Sequence, residues 1–307
     1  MIFRDYNNSV VENLYKNMYI QQTYFKKIQI ANTLKYNKPV CINDAIYFLN
    51  KVVDSSDPDT DHEQIYHGYQ TAEAISNNYF INRNFNYIKS INIKDLFTPE
   101  EFDKLPIKYQ NMFNTTIDKF YSHINDWSWL PVIGLIHDLG KVLVLPEFGY
   151  FPEHFSVGDI YVLGCKFSES NIYYEKKYHT LSDDYKNTDF NTINGIYESN
   201  CGFENTTMTF SHDYYLYTVL LHSTHILPEE ALYIIRFHSF YAWHTPHNNI
   251  RGYSHLANQK DYMNLPLLKL FQKTDLYSKD NNLPDIKNLQ EFYQNLIHKF
   301  IHGPLMF

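Results

Sequence analysis

His137 and Asp138 stand side by side in the run Ile133-Gly-Leu-Ile-His-Asp-Leu-Gly-Lys-Val-Leu143. Leu130, Ile133 and Leu135 precede the pair, and Leu139, Val142 and Leu143 follow it. Apolar residues therefore surround it on every face of a helix, and such a helix is expected to be buried. A buried Asp is costly unless it is paired or bound to a metal. Imidazole can bind one ion, and the two oxygens of the carboxylate can bridge it to a second. Lys141 lies one turn from both residues, so its ammonium can reach the same cavity. The plainer alternative is a core ion pair between Asp138 and Lys141 beside a satisfied histidine.

Four further residues favour the metal. His67 lies in the helical run Ile65-Tyr-His-Gly-Tyr-Gln-Thr-Ala-Glu-Ala-Ile75 and shares one face with Gln70, Thr71 and Ala74. Its neighbour Gly68 costs about 1 kcal/mol relative to Ala inside a helix, which fits a place where another backbone approaches closely. His212 opens a helix with Tyr215, Leu216 and Val219 on the same face. His238 follows the stripe Ala231, Ile234, Ile235, and Asp275 follows Leu265, Leu268, Phe271. In both stripes a ligand-type side chain stands where the pattern demands an apolar one, as happens at functional sites. The set is four imidazoles and two carboxylates on five helices. Imidazole with carboxylate suits iron, manganese or zinc and disfavours copper(I) or an iron–sulfur cluster. Six residues exceed the needs of one four-coordinate zinc, and a two-metal site bridged by Asp138 uses them all.

The elements that must position these residues are mostly helical. Residues 9–37 read as one long amphipathic helix with Val11, Leu14, Met18, Phe25 and Ile28 on its stripe. Asn43-Asp44 can cap a second helix carrying Ile46, Leu49 and Val52. The acidic run 53–61 reads as a solvated connection. Residues 77–126 are polar, with a capped helix start at Thr98-Pro99 and a further helix over Phe113, Ile117 and Phe120. They carry no chemical motif and read as an inserted helical decoration. After Lys141 the pattern breaks at Pro146, Gly149, Pro152 and Gly158, with a short strand expected at Ile160–Leu163 and an irregular stretch over 168–205. Ser211 can cap the His212 helix, Pro228 starts the next, and 287–301 form the last.

The 307 residues are 44% hydrophobic and 17% aromatic, ample for one large core. The net charge of −8 and the lack of a basic block argue against nucleic acid or an anionic membrane as a partner. Cys41, Cys165 and Cys201 are too few and too scattered for a disulfide framework. There is no apolar run of membrane-spanning length and no signal-peptide core at the N-terminus, so a soluble, cytoplasmic protein is expected. The histidines at positions 62, 123, 154, 179, 222, 225, 244, 247, 255, 298 and 302 read as ordinary surface or core residues.

Seven ordered segments carry a resemblance: Val53-Asp-Ser-Ser-Asp-Pro-Asp59, His67-Gly-Tyr-Gln-Thr-Ala-Glu73, His137-Asp-Leu-Gly-Lys141, Cys201-Gly-Phe-Glu-Asn205, Ser211-His-Asp-Tyr-Tyr-Leu-Tyr217, Arg236-Phe-His-Ser-Phe-Tyr-Ala-Trp-His244 and Asp275-Leu-Tyr277. In these the chain resembles myo-inositol oxygenase, an all-helical HD-domain family of di-iron enzymes. The resemblance implies a single all-α HD domain over 1–307 with short irregular or β pieces and with 77–126 inserted. It implies that His67, His137 and Asp275 hold a first iron, that His212 and His238 hold a second, and that Asp138 bridges them. It implies substrate contacts at Asp54, Lys141, Gly158, Asp159, Ser239 and Lys279, and at Arg4. The implied reaction is cleavage of the myo-inositol ring by O2 to D-glucuronate at a mixed-valent Fe(II)/Fe(III) pair, with Lys141 and Asp138 catalytic and the protein a monomer.

Two departures from the family pattern stand out. Residues 77–126 lengthen the interval between His67 and His137, and Pro246-His-Asn-Asn-Ile250 replaces the usual glycines after Trp243-His244-Thr245. Two other functions compete. A phosphohydrolase would use the same metals but would want more basic residues for phosphate. An inactive scaffold would have no need of all six ligand-type residues.

Overall fold

Helices of eight residues or more are eight in number among the described residues of the computed structural model, which are 9–56, 62–79, 87–245, 250–276 and 283–307. They are α1 (Val10–Gln21), α2 (Tyr24–Thr33), α3 (Gln64–Tyr79), α4 (Trp129–Ile136), α5 (His212–Leu221), α6 (Glu229–Phe237), α7 (Gln259–Asp275) and α8 (Ile286–Phe300). The all-α expectation holds. The one sheet among the described residues is a two-residue antiparallel pairing of β1 (Pro39–Val40) with β2 (Leu305–Met306), which ties the C-terminus down. Among the described residues, no helix is long and apolar enough to cross a membrane.

Local signals account for several helix starts. The Ser211 hydroxyl accepts from the Tyr214 amide at 3.3 Å. Thr98 and Glu101 form a reciprocal capping box, and so do Asn258 and Asp261 at the head of α7. Elsewhere tertiary contacts override pattern. The single helix expected over 9–37 is broken, because Gln22 and Thr23 are extended and buried. The Tyr24 amide donates to the Asp184 carboxylate, 3.1 and 3.0 Å from its two oxygens. As a result Phe25 and Ile28 face solvent, and the residue α2 buries is Lys27, over the Tyr214 ring. The helix expected after Asn43-Asp44 starts before that pair, at Ile42 with Cys41 at its N-cap, and ends at Phe48. The strand expected at Ile160–Leu163 is reduced to a single bridge between Val162 and Met208.

The core is one continuous apolar cluster running from Tyr15 to Phe307. At its centre α3 crosses α4 very closely. A Cβ on Gly68 would stand 2.6 Å from the Leu135 carbonyl oxygen, and one on Gly134 would stand 3.1 Å from the Ala72 backbone. Glycine at these positions lets the two backbones touch, and that sets His67 beside His137. The segment after residue 87 joins the same core through Ile88, Ile93, Phe97, Phe113 and Ile117. It lies along α7, with Tyr121 donating to the Met263 carbonyl at 2.7 Å and Glu101 pairing with Lys269 at 2.7 Å.

Candidate metal centre

Helix ends aim most of the candidate ligands. His137 caps the C-terminus of α4 and His238 that of α6. Each turns Nδ1 back toward the carbonyl three residues earlier, Gly134 at 2.8 Å and Ile235 at 3.1 Å. Those carbonyls lie in a last helical turn, where the final ones lack helical partners. Binding them fixes each ring with Nε2 pointing into the protein. His212 is the first residue of α5, and its Nδ1 donates to the Ser156 carbonyl at 2.6 Å. His67 comes from the first turn of α3 and Asp275 is the last residue of α7.

These residues, with Asp138, converge in two groups. In the first, His67 Nε2 and His137 Nε2 lie 3.0 and 3.2 Å from Asp275 Oδ1, and each lies 3.5 Å from Asp138 Oδ2. In the second, His212 Nε2 and His238 Nε2 are 3.2 Å apart and lie 3.2 and 3.6 Å from Asp138 Oδ1. Donors held about 2.1 Å from one ion stand about 3.0 Å apart in an octahedron and about 3.4 Å apart in a tetrahedron. Both groups match that spacing, and the two oxygens of Asp138 are divided between them. All six residues are buried.

The charges call for cations. Burial opposes the charge on Asp138, yet Lys141 and His137 hold its carboxyl well below the usual range. Asp275 is depressed in the same way by His137 and His67, against its burial. Burial disfavours imidazolium at His212, but Asp213 and Asp138 push its pKa up to about 10. Protons here take the place that metal charge would fill.

Lys141 makes the ion pair with Asp138 that the plainer alternative foresaw, at 2.9 Å, and it does so beside the two donor groups rather than in place of them. Its ammonium also donates to Asp54 at 2.6 Å and to Gln64 at 3.0 Å. Asp54 is 8% exposed, so this start of the acidic loop is not the solvated connection expected of it. Ser56 donates to Asp54 from both its amide and its hydroxyl. Asp159 adopts a left-handed backbone and accepts from the Tyr15 hydroxyl at 2.8 Å; burial pushes its carboxyl up to about 7. Gly158 lies against Ser239, where a Cβ would meet the serine Cβ at 3.3 Å. Arg4 and Lys279 lie outside the described residues.

His244 is fully buried, and its Nε2 donates to the His238 carbonyl at 2.7 Å. It is a core histidine that holds a candidate ligand's backbone. Asp213 was not singled out from the sequence, although a signal was there: Ser211-His212-Asp213 repeats the His–Asp doublet of 137–138. Its Oδ1 lies 2.8 Å from His212 Nε2 and 3.5 Å from His238 Nε2, and its Oδ2 accepts from the Ser239 hydroxyl at 2.5 Å. Gln64 and Tyr15 were missed as well, because nothing in their local sequence marks them.

The myo-inositol oxygenase family model matches residues 8–98 and 107–307. An inositol oxygenase of Dictyostelium discoideum is 37% identical over 99% of this chain and 89% of that protein. Inositol oxygenase 2 of Arabidopsis thaliana is 37% identical over 99% and 82%. The inositol oxygenase of Danio rerio is 35% identical over 99% and 92%. With the match running nearly end to end and the buried His and Asp groups converging as they do, the chain belongs to the myo-inositol oxygenase family.

Proposed function

We propose that the chain cleaves the ring of myo-inositol, or a closely related cyclitol, with O2 to give D-glucuronate, using two iron ions in the mixed-valent Fe(II)/Fe(III) state. One iron would be held by His67, His137 and Asp275, the other by His212 and His238, with Asp138 between them. The observation that carries the reading is the division of Asp138: one oxygen faces each group of imidazoles at donor spacing. Bound iron would supply the redox change that O2 chemistry needs and, as a Lewis acid, would acidify a polyol hydroxyl.

The protein's own groups would do the rest. Asp54 and Asp138 fix the Lys141 ammonium from two sides, at 2.6 and 2.9 Å. Held so, with Gln64 taking its third proton at 3.0 Å, Lys141 would set a preorganised positive charge beside an alkoxide forming on the substrate. Asp138 would thus hold the ions while it orients the cation. Asp54, Gly158, Asp159 and Ser239 would contact the polyol hydroxyls, together with Arg4 and Lys279. A soluble monomer acting in the cytoplasm on a small polyol is the expected setting.

The test is metal analysis and oxygen uptake on anaerobically purified protein. About two irons per chain are expected, with O2 consumed in the presence of myo-inositol and glucuronate formed. Zinc-substituted protein should be inert, because zinc has no accessible redox change. If the iron protein takes up no oxygen with any inositol isomer, yet releases phosphate from an ester with zinc or manganese bound, the chain is a phosphohydrolase instead.

A further inference from the structure

Ser239 follows His238 at the end of α6 and is 2% exposed. Its carbonyl accepts from the Ile160 amide at 3.1 Å, which pins this turn to the Gly158–Asp159 loop. Its hydroxyl donates to Asp213 Oδ2. Asp213 is 0% exposed, and its other oxygen faces His212 and His238. An ionised carboxylate only accepts hydrogen bonds, so the serine proton is committed to Asp213. The hydroxyl oxygen keeps two lone pairs and no proton to give. Gly158 is the neighbour there, and the Cβ it lacks would stand 3.9 Å from the Ser239 oxygen.

We propose that Asp213 is a positioning residue that makes Ser239 a pure hydrogen-bond acceptor, so that the site selects a cyclitol hydroxyl able to donate a proton at that point. The inference rests on the reading above that Ser239 contacts the polyol. It adds a specificity rule: the hydroxyl lying against Ser239 cannot be replaced by a group that only accepts.

Calorimetry on the metal-loaded protein without O2 tests this, using myo-inositol, its monodeoxy analogues and its monodeoxy-monofluoro analogues. Fluorine can accept weakly and cannot donate. At one ring position the deoxy and fluoro analogues should both bind about tenfold more weakly than myo-inositol, the size expected for one hydrogen bond. Both losses should vanish in Ser239→Ala. In Asp213→Asn the amide can donate to Ser239 and free its proton, so the fluoro analogue should regain affinity over the deoxy one. The proposal is overturned if the fluoro analogue binds wild type like myo-inositol at the Ser239-dependent position, or if no position depends on Ser239. Should Asp213→Asn fail to fold, the wild-type and Ser239→Ala measurements decide alone. Wild-type protein with two ions bound that fails to bind myo-inositol itself would remove the oxygenase reading, a result distinct from either.

Discussion

His137 and His238 each close a helix and each turn Nδ1 to the carbonyl three residues back, yet the two pockets they serve are built differently. The pocket of His67, His137 and Asp275 is made entirely by helices, with the contact of Gly68 against Leu135 setting its width. The pocket of His212 and His238 leans in part on irregular chain: His212 is held by Ser156, and His238 is held through its carbonyl by His244, in the short helix Tyr241–His244. It also has a second carboxylate, Asp213, where the first pocket has Asp275. Helix crossings are stiff and loops are not. The first pocket should therefore hold its ion more rigidly, while the second, flanked by Ser239, has the neighbours to receive substrate.

The largest effects should come from Asp138, the one group common to both pockets. Asp138→Ala is expected to lower iron from about two per chain toward none, whereas His238→Ala should lower it toward one. Metal analysis per chain separates these, and full iron retention in Asp138→Ala would end the bridging assignment. Both variants should also lose stability, on the order of 3–5 kcal/mol, because buried charged partners are left uncompensated. Next in size is Lys141→Met. It should cut turnover about 10²–10³-fold, as removal of one preorganised donor does, with both irons kept. An equal loss of iron would make Lys141 a structural counter-ion for Asp54 and Asp138 rather than a charge set beside the substrate.

The six residues that converge were legible in the sequence for a physical reason. A His or Asp at the end of an apolar stripe violates the stripe, and such a violation is visible at single-residue resolution. His238 after Ile235 and Asp275 after Phe271 are of this kind. Gly68 was legible too, as a helix glycine with no local reason to be there. Other features depend on contacts between distant segments and leave no local trace. The break at Gln22–Thr23 comes from Asp184, some 160 residues away. Glu12 and Gln64 are polar residues buried by partners that a periodicity scan does not see. The cover of α7 by residues 88–121 was hidden because its apolar residues come in ones and twos among Lys, Asn and Asp. Asp213 differs from all of these, since its doublet with His212 was in plain view and only its orientation was hidden.

Two glycines sharpen the contrast between the pockets at moderate cost. A Cβ on Gly140 would fall 2.0 Å from the His212 carbonyl oxygen, and one on Gly68 would fall 2.6 Å from that of Leu135. Neither backbone can yield without moving its histidine. Each alanine substitution should destabilise by about 1–3 kcal/mol, the usual range for overpacking, read as a lower Tm. Chelator-stripping kinetics should then distinguish them: Gly140→Ala should speed release of one ion from the His212 side, and Gly68→Ala release from the His67 side. Identical stripping profiles would mean that the two pockets give way together.

The pH dependence of stability turns on two imidazoles on either side of His238 with opposite shifts. Burial pushes His244 down to about 3, so it stays neutral in the fold while an unfolded imidazole takes a proton below about 6.5. Its contribution is complete above pH 6.5 and is lost as pH falls toward 3, at no more than about 1.4 kcal/mol per pH unit. His212 runs the other way. Asp213 and Asp138, overcoming its burial, raise it to about 10 in the metal-free protein. That contribution is complete below pH 6.5 and is lost as pH rises through 10. An ion bound at His212 displaces this proton, so metal-loaded protein should lose the alkaline decline and keep the acid one. Urea unfolding midpoints between pH 5 and 10, with and without metal, are the measurement. An alkaline decline that is just as steep in the loaded protein would mean that His212 keeps its proton and holds no ion.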